Sequence, residues 1–231
     1  MTSPALTGDQ LELFYVRGDS GSELFQVAHR DAPDETFSPG TDVTELNNLC
    51  SGLDKSEDLS FDGLRVYFSC YTDVAQLTVL RFAARPDRDS AFGSATELGE
   101  TAPSAGLSAD ERELYGALFS LESSTQLSTR SSLSQPFGAR MVWSSLDQVA
   151  FFSPTVSGDG LEIYGAVGEE KVFSRSTRAR PTATFSAPTA LTSLTGSLQA
   201  AGAPEISEDC RTLLYAGVDT DSRWAIYQAK R

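Results

Sequence analysis

With 231 residues and a 40% apolar fraction, the chain is long enough for one large all-β domain or two small ones around buried cores. Its 32 acidic residues outnumber 18 basic ones, and the net charge of −14 repels nucleic acid and anionic lipid while favouring basic partners or cations. One histidine, three cysteines and no CxxC pair argue against zinc or multi-histidine metal centres, and no apolar run approaches the roughly 20 residues of a membrane-spanning helix.

Taken in order, the chain repeats itself. Met1 to Leu6 has neither the basic head nor the apolar stretch of a signal peptide. The first unit follows at once, with Leu6-Thr7-Gly8-Asp9, then Leu13-Phe14, then Arg30 and Phe37. The second carries Leu59-Ser60-Phe61-Asp62, Val66-Tyr67, Arg85 and Phe92. The third carries Leu107-Ser108-Ala109-Asp110, Leu114-Tyr115, Arg130 and Phe137. The fourth carries Val156-Ser157-Gly158-Asp159, Ile163-Tyr164, Arg178 and Phe185. The fifth, Ile206-Ser207-Glu208-Asp209 with Leu213-Leu214, reaches Arg231 where its Arg falls. Successive Asp residues are 53, 48, 49 and 50 positions apart.

Each unit reads as short strands and turns. Ser/Thr-x-Asp followed by Gly is a tight-turn signal, because Asp caps its own backbone and Gly tolerates positive φ. One strand precedes the turn, as in Pro154 to Ser157, and a second follows, as in Leu64 to Ser69. A third leads into the Arg, as in Leu77 to Ala84, and a fourth follows the Phe, as in Phe92 to Leu98. Helical periodicity is absent. Four strands per unit of about 50 residues is the grammar of a propeller blade.

The expectation is therefore an all-β, five-bladed β-propeller of four-stranded antiparallel blades. It forms one domain over 1–231, with blades near 3–46, 54–99, 102–147, 152–195 and 203–231. The last blade is either three-stranded or completed by a strand upstream of Met1, and the second alternative is expected.

At these residues the chain resembles the TolB-like, WD-like β-propeller repeat family. Ser153-Pro154-Thr155-Val156-Ser157-Gly158-Asp159-Gly160 matches that unit most fully, continued by Thr177-Arg178 and Phe185-Ser186-Ala187-Pro188. Phe92-Gly93 and Phe137-Gly138 carry its Phe-Gly element, and Leu46-Asn47 resembles the pair that closes a unit. The resemblance implies the fold and an extracytoplasmic address (periplasmic, secreted or lipoprotein-anchored), with the signal segment outside this chain. It implies no particular activity, because members include binding propellers, peptidase accessory domains and polysaccharide-acting enzymes.

Candidate functional residues are sought where the units differ. The repeated Asp9, Asp62, Asp110, Asp159 and Asp209 are expected to cap turns. The repeated Arg30, Arg85, Arg130 and Arg178 are expected to pair with an acid or stack on a ring within their blades. Four positions before each Asp stand Ala5, Asp58, Gly106, Thr155 and Glu205. Asp58, Glu205 and the adjacent Glu57 place carboxylates near a channel mouth, where they are candidates for a cation, a basic side chain or a glycosidase acid pair.

Loops on one face add Tyr71, Asp73, Asp219 and Asp221 as contact residues, whereas Trp143 stands where Val43, Leu98 and Leu191 stand and is expected to pack. Antiparallel pairing about Asp62-Gly63 sets residues near 56 opposite residues near 69, so Cys50 is a candidate disulfide partner for Cys70, leaving Cys210 unpaired. No phosphate loop or Ser-His-Asp arrangement around His29 is recognised.

The expected function is a non-enzymatic, exported binding module that contacts protein or glycan, without cofactor unless a channel cation, as a monomer and without inserting into membrane. The alternative is a carbohydrate-active enzyme using the channel-mouth carboxylates.

Overall fold

The computed structural model describes residues 2–18, 23–49, 56–72, 77–100, 105–116, 124–143, 146, 149–168 and 172–230. Blade 1 comprises β1 (Thr2–Leu6), β2 (Glu12–Arg17), β3 (Leu24–His29) and β4 (Thr41–Asp42), followed by the short helix α1 (Thr44–Leu49). Blade 2 comprises β5 (Ser56–Leu59), β6 (Arg65–Thr72), β7 (Leu77–Ala84) and β8 (Thr96–Glu100). Blade 3 comprises β9 (Ala105–Leu107), β10 (Glu113–Gly116), β11 (Gln126–Thr129) and β12 (Met141–Val142). Blade 4 comprises β13 (Phe151–Val156), β14 (Glu162–Val167), β15 (Val172–Thr177) and β16 (Thr189–Ala190), then α2 (Thr192–Thr195). Blade 5 has β17 (Ala200–Ile206), β18 (Thr212–Val218) and β19 (Trp224–Lys230). Strands pair antiparallel with their sequence neighbours, giving four four-stranded sheets and one three-stranded sheet: a five-bladed β-propeller.

Two details depart from the sequence reading. The fourth strands begin later than expected: in blade 2, residues 91–95 form no strand and β8 opens at Thr96. Phe92 turns inward instead, to lie against the Arg85 guanidinium. Two short helices also appear, and neither is long enough to show a helical period. In α1, Leu46 is fully buried, and Asn47 accepts from the Phe25 amide (2.7 Å) and donates to the Phe25 carbonyl (3.2 Å). The Leu-Asn pair thus docks on β3 as an end-cap.

The chain divides into two compact units, Met1–Pro103 with blades 1 and 2, and Ser104–Arg231 with blades 3 to 5. In the first, Phe14 and Phe25 of blade 1 pack with Val66, Phe68 and Phe92 of blade 2. Phe25 meets Phe68 edge-on at 5.6 Å, and Phe14 meets Phe92 at 5.9 Å. In the second, Tyr115 and Trp143 of blade 3 pack with Phe151, Ile163 and Phe185 of blade 4. Tyr164 and Phe173 of blade 4 pack with Ile206, Leu213 and Tyr215 of blade 5. Each of these cores is assembled from two successive blades, as alternating strands demand when both sheet faces are apolar.

Close approach of first strands sets one strict requirement. A Cβ on Gly106 of β9 would stand 2.0 Å from the Pro154 carbonyl oxygen of β13. Backbone cannot yield like a flexible side chain, so Gly106→Ala is expected to lower unfolding free energy by about 2–3 kcal/mol. Gly202→Ala, whose Cβ meets nothing within 4 Å, is expected to be neutral or slightly stabilising. Urea denaturation of both variants measures the contrast.

Candidate functional site

In blades 1, 4 and 5 the two ends differ in kind. At one end lies the Asp turn. The Thr7, Ser60, Ser108, Ser157 and Ser207 hydroxyls donate to Asp9, Asp62, Asp110, Asp159 and Asp209 at 2.6–2.7 Å. The same carboxylates accept the amide two residues on, at 2.9–3.2 Å. The turn closes when Gln10, Gly63, Glu111, Gly160 and Cys210 donate their amides to the Ser/Thr carbonyls at 2.7–2.8 Å. All five have positive φ, between 56° and 73°, although only two are glycine. Capping by Asp thus holds left-handed backbone even where the expected Gly is replaced.

The repeated Arg fastens onto that turn. Nε of Arg30, Arg85, Arg130 and Arg178 donates to the carbonyls of Gln10, Gly63, Glu111 and Gly160 at 2.6–2.8 Å. Each guanidinium lies 4.2–4.8 Å from the centroid of the Phe seven residues on, namely Phe37, Phe92, Phe137 and Phe185. Such a contact stabilises by about 0.5–2 kcal/mol. The amide after each Phe then returns to the carbonyl before each Arg at 2.7–2.9 Å. The repeated Asp and Arg residues are thus committed to holding the blade.

Sequence reasoning missed what the Arg residues do between blades. Arg85 donates to Glu12 of blade 1 at 2.6 Å, and both side chains are 6% exposed. Arg88 reaches Asp9 of blade 1 at 2.5 Å, and the Gly8 amide donates to the Phe61 carbonyl at 2.7 Å. In the second unit, the Tyr115 hydroxyl donates to Glu113. Burial pulls Arg178 of blade 4 below the usual guanidinium value, opposed by Tyr115 and Glu113 of blade 3. Breaking a buried pair costs about 3–5 kcal/mol, which marks Glu12 as structural. The available signal was a Glu three positions after the Asp in three units: Glu12, Glu113 and Glu162.

The non-repeated candidates separate by environment. Glu205 is 8% exposed on β17 and accepts from the Thr155 hydroxyl of β13 at 3.1 Å. Both strands shift register just before these residues, with Ser153 and Ala203 at φ 46°. The bulges aim Thr155 and Glu205 at each other, so Glu205 serves as a link between blades 4 and 5. Asp58 lies in the other unit, half-buried on β5, and accepts from the Leu59 amide at 2.7 Å. Asp219 accepts from the Asp221 and Arg223 amides, each at 2.9 Å, and shapes the β18–β19 hairpin, whereas Asp221 is exposed. Trp143 packs as expected, 4.6 Å from Tyr115 and 5.2 Å from Phe185.

Glu57, Cys70 and Tyr71 are placed on β5 and β6 by backbone alone, and Asp73 and Cys50 lie outside the described residues. Cys210 is a free thiol, half-buried in its turn. Among the described residues, no group of three or more His, Cys, Asp or Glu side chains is arranged to hold a metal.

The end opposite the Asp turn is built differently. There the second and third strands meet, and large apolar side chains at the start of the third strand stand in solvent: Leu24 (39% exposed), Val172 (39%) and Trp224 (48%).

No family model matches the sequence, and no curated protein matches it. Solved structures nonetheless share its fold. A putative TolB from Agrobacterium tumefaciens is 14% identical, with a TM-score of 0.54 over 99% of this chain and 76% of that one. TolB from Acinetobacter baumannii, also 14% identical, gives 0.52 over 99% of this chain and 54% of its own, so this chain spans about half of it. The gluconolactonase XC5397 from Xanthomonas campestris, 11% identical, gives 0.51 over 98% and 71%. The architecture is therefore that of a β-propeller. TolB-like propellers are among the structures that share it, in keeping with the resemblance carried by the repeat. At these identities the likeness defines the fold alone.

The turn carboxylates set a pH dependence. Ser207 and the Arg211 amide hold Asp209 below the usual carboxylate range against the effect of burial. Burial likewise opposes ionisation of Asp9 and Asp62, but hydrogen bonds from Thr7, Arg88 and Leu11, and from Ser60, Leu64 and Arg65, outweigh it. A depressed folded-state pKa gives stability that is present above the unfolded-state value, near 4, and lost as pH falls through the folded one. Asp209→Asn is therefore expected to lower the urea midpoint at neutral pH. Its difference from the parent should close as pH drops below that range, as urea titrations at a series of pH values would read.

Proposed function

We propose that the protein is a non-enzymatic, exported binding module that holds a protein or glycan at the ends of blades 4 and 5 where second and third strands meet. One observation carries this reading: the contrast between the two blade ends. The Asp-turn end is the same hydrogen-bonded lock in blade after blade, and its repeated Asp and Arg residues are engaged in it. In blades 4 and 5 the opposite end differs in sequence and exposes Val172 and Trp224 together with Asp221. Exposed aliphatic and aromatic groups beside polar ones are contact chemistry, since their burial on binding releases water and fixes orientation. The acidic balance of the chain favours a ligand with basic character.

The burial of Glu205 and its hydrogen bond to Thr155 weigh against the carbohydrate-active alternative, because a general acid must reach the scissile bond. An extracytoplasmic address fits the repeat resemblance. Among the described residues, no helix is long and apolar enough to cross a membrane.

Peptide and glycan arrays followed by calorimetry on the strongest hit test the proposal. Val172→Asp and Trp224→Asp are expected to weaken binding roughly tenfold or more. Leu133→Asp, on a residue 44% exposed in the Arg130–Phe137 loop at the other end, should leave it unchanged. Weakening by Leu133→Asp alone, or turnover of an arrayed glycan or peptide, would refute the reading.

A further inference from the structure

In blades 1 to 4 the fourth strand closes the sheet on one side, and among the described residues nothing pairs with its outer edge. Such an edge offers N–H and C=O groups to another strand, and proteins blunt it with proline or charge. Three of the four edges are blunted in this way. The strand β4 is Thr41-Asp42 with Pro39 two residues before it, β8 holds Glu97 and Glu100, and β16 is Thr189-Ala190 directly after Pro188. The strand β12 is Met141-Val142, with neither proline nor acid beside it. Met141 (62% exposed) and Val142 (52%) are the most exposed large apolar side chains among the described residues.

The ladder fixes what this edge presents. The Trp143 amide donates to the Thr125 carbonyl at 2.9 Å, and two positions along, Met141 stands opposite Leu127. Bonded and non-bonded pairs alternate between antiparallel strands, so Met141 is tied to β11 while the N–H and C=O of Val142 point away from it. Successive side chains take opposite faces of the sheet. Met141 and Val142 therefore flank the edge with an apolar group on each side. Charge also sets this stretch apart. Ser124 to Trp143 contains Arg130 and Arg140 and no acid, in a chain of net charge −14. The matching stretches hold Asp31, Asp34, Glu35 and Asp42 in blade 1, and Asp87, Asp89 and Glu97 in blade 2. Val172 to Leu191 of blade 4 is acid-free too, but there Pro188 precedes the strand. Arg130 is turned onto Phe137, whereas Arg140 directly precedes Met141.

We infer that β12 takes up an extended segment of a partner protein that is rich in acidic and apolar residues. The partner backbone bonds to the outward N–H and C=O of Val142, which supplies affinity. Its apolar side chains lie against Met141 and Val142, and its carboxylates lie towards Arg140, which supplies specificity. The chain as a whole repels an acidic partner, but at physiological salt charges beyond about 8 Å are largely screened, so those adjoining the edge decide. A second copy of β12 lacks the match, because the strand and its approach hold no acid. The edge belongs to blade 3 rather than to the ends of blades 4 and 5, and the inference does not rest on the ligand site proposed there.

Fluorescence anisotropy of the full chain with a labelled Glu-Val-Glu-Val-Glu-Val peptide, and with its Lys-Val-Lys-Val-Lys-Val counterpart, tests the inference. The acidic peptide is expected to bind roughly tenfold or more tightly, and to lose that margin as salt is raised. Hydrogen exchange at the Val142 amide should slow when it binds. A double variant, Met141→Thr with Val142→Asp, copies the fourth strand of blade 1. It is expected to weaken binding roughly tenfold or more with unaltered melting. Val142→Pro removes the outward N–H without removing a bond to β11 and is expected to weaken binding similarly. Should Val142→Pro fail to fold, the double variant decides. Equal binding of the two peptides, no binding of the acidic one up to about 1 mM, or a double variant that binds as tightly as the parent overturns the inference.

Discussion

A four-stranded sheet with apolar residues on both faces cannot keep those faces from water by itself, and this constraint governs the structure. The described cores lie between successive blades: Phe25 against Phe68, Tyr115 and Trp143 against Phe185, Phe173 against Tyr215. Burial of one such ring contributes about 1.5–3 kcal/mol, more than the roughly 0.5–1.5 kcal/mol of a neutral hydrogen bond. Repetition follows from the need for a neighbour on each side.

Polar groups then fix how neighbours meet. Within a blade, the Asp turn and the Arg above its Phe tie the first-second turn to the third-fourth loop. Between blades, Glu12 with Arg85 and Thr155 with Glu205 satisfy buried polar groups that would otherwise be costly. Residues conspicuous by repetition are thereby occupied with architecture. Under the proposed function, contact chemistry is left to the blade ends where repetition stops.

How legible each feature was depended on its range in the sequence. The Asp turns were readable because donor, acceptor and carboxylate lie within five residues, and the Arg–Phe contact because its spacing of seven recurs. Glu12 and Arg85 stand 73 residues apart, and nothing local announces that pair. Asp58 and Glu205 looked alike as acids among small residues, yet the bulges at Ser153 and Ala203 gave Glu205 a specific partner that a strand pattern does not reveal. The helices α1 and α2 escaped notice because so few residues carry no period.

Hydrogen exchange in a Tyr215→Ala variant tests the shared-core claim most directly. Tyr215 lies on β18 and packs 5.3 Å from Phe173 of blade 4. If the core belongs to both blades, amide protection falls in β14 and β15 of blade 4 as well as in β18 and β19. Loss confined to blade 5, with blade 4 as protected as in the parent, would contradict it.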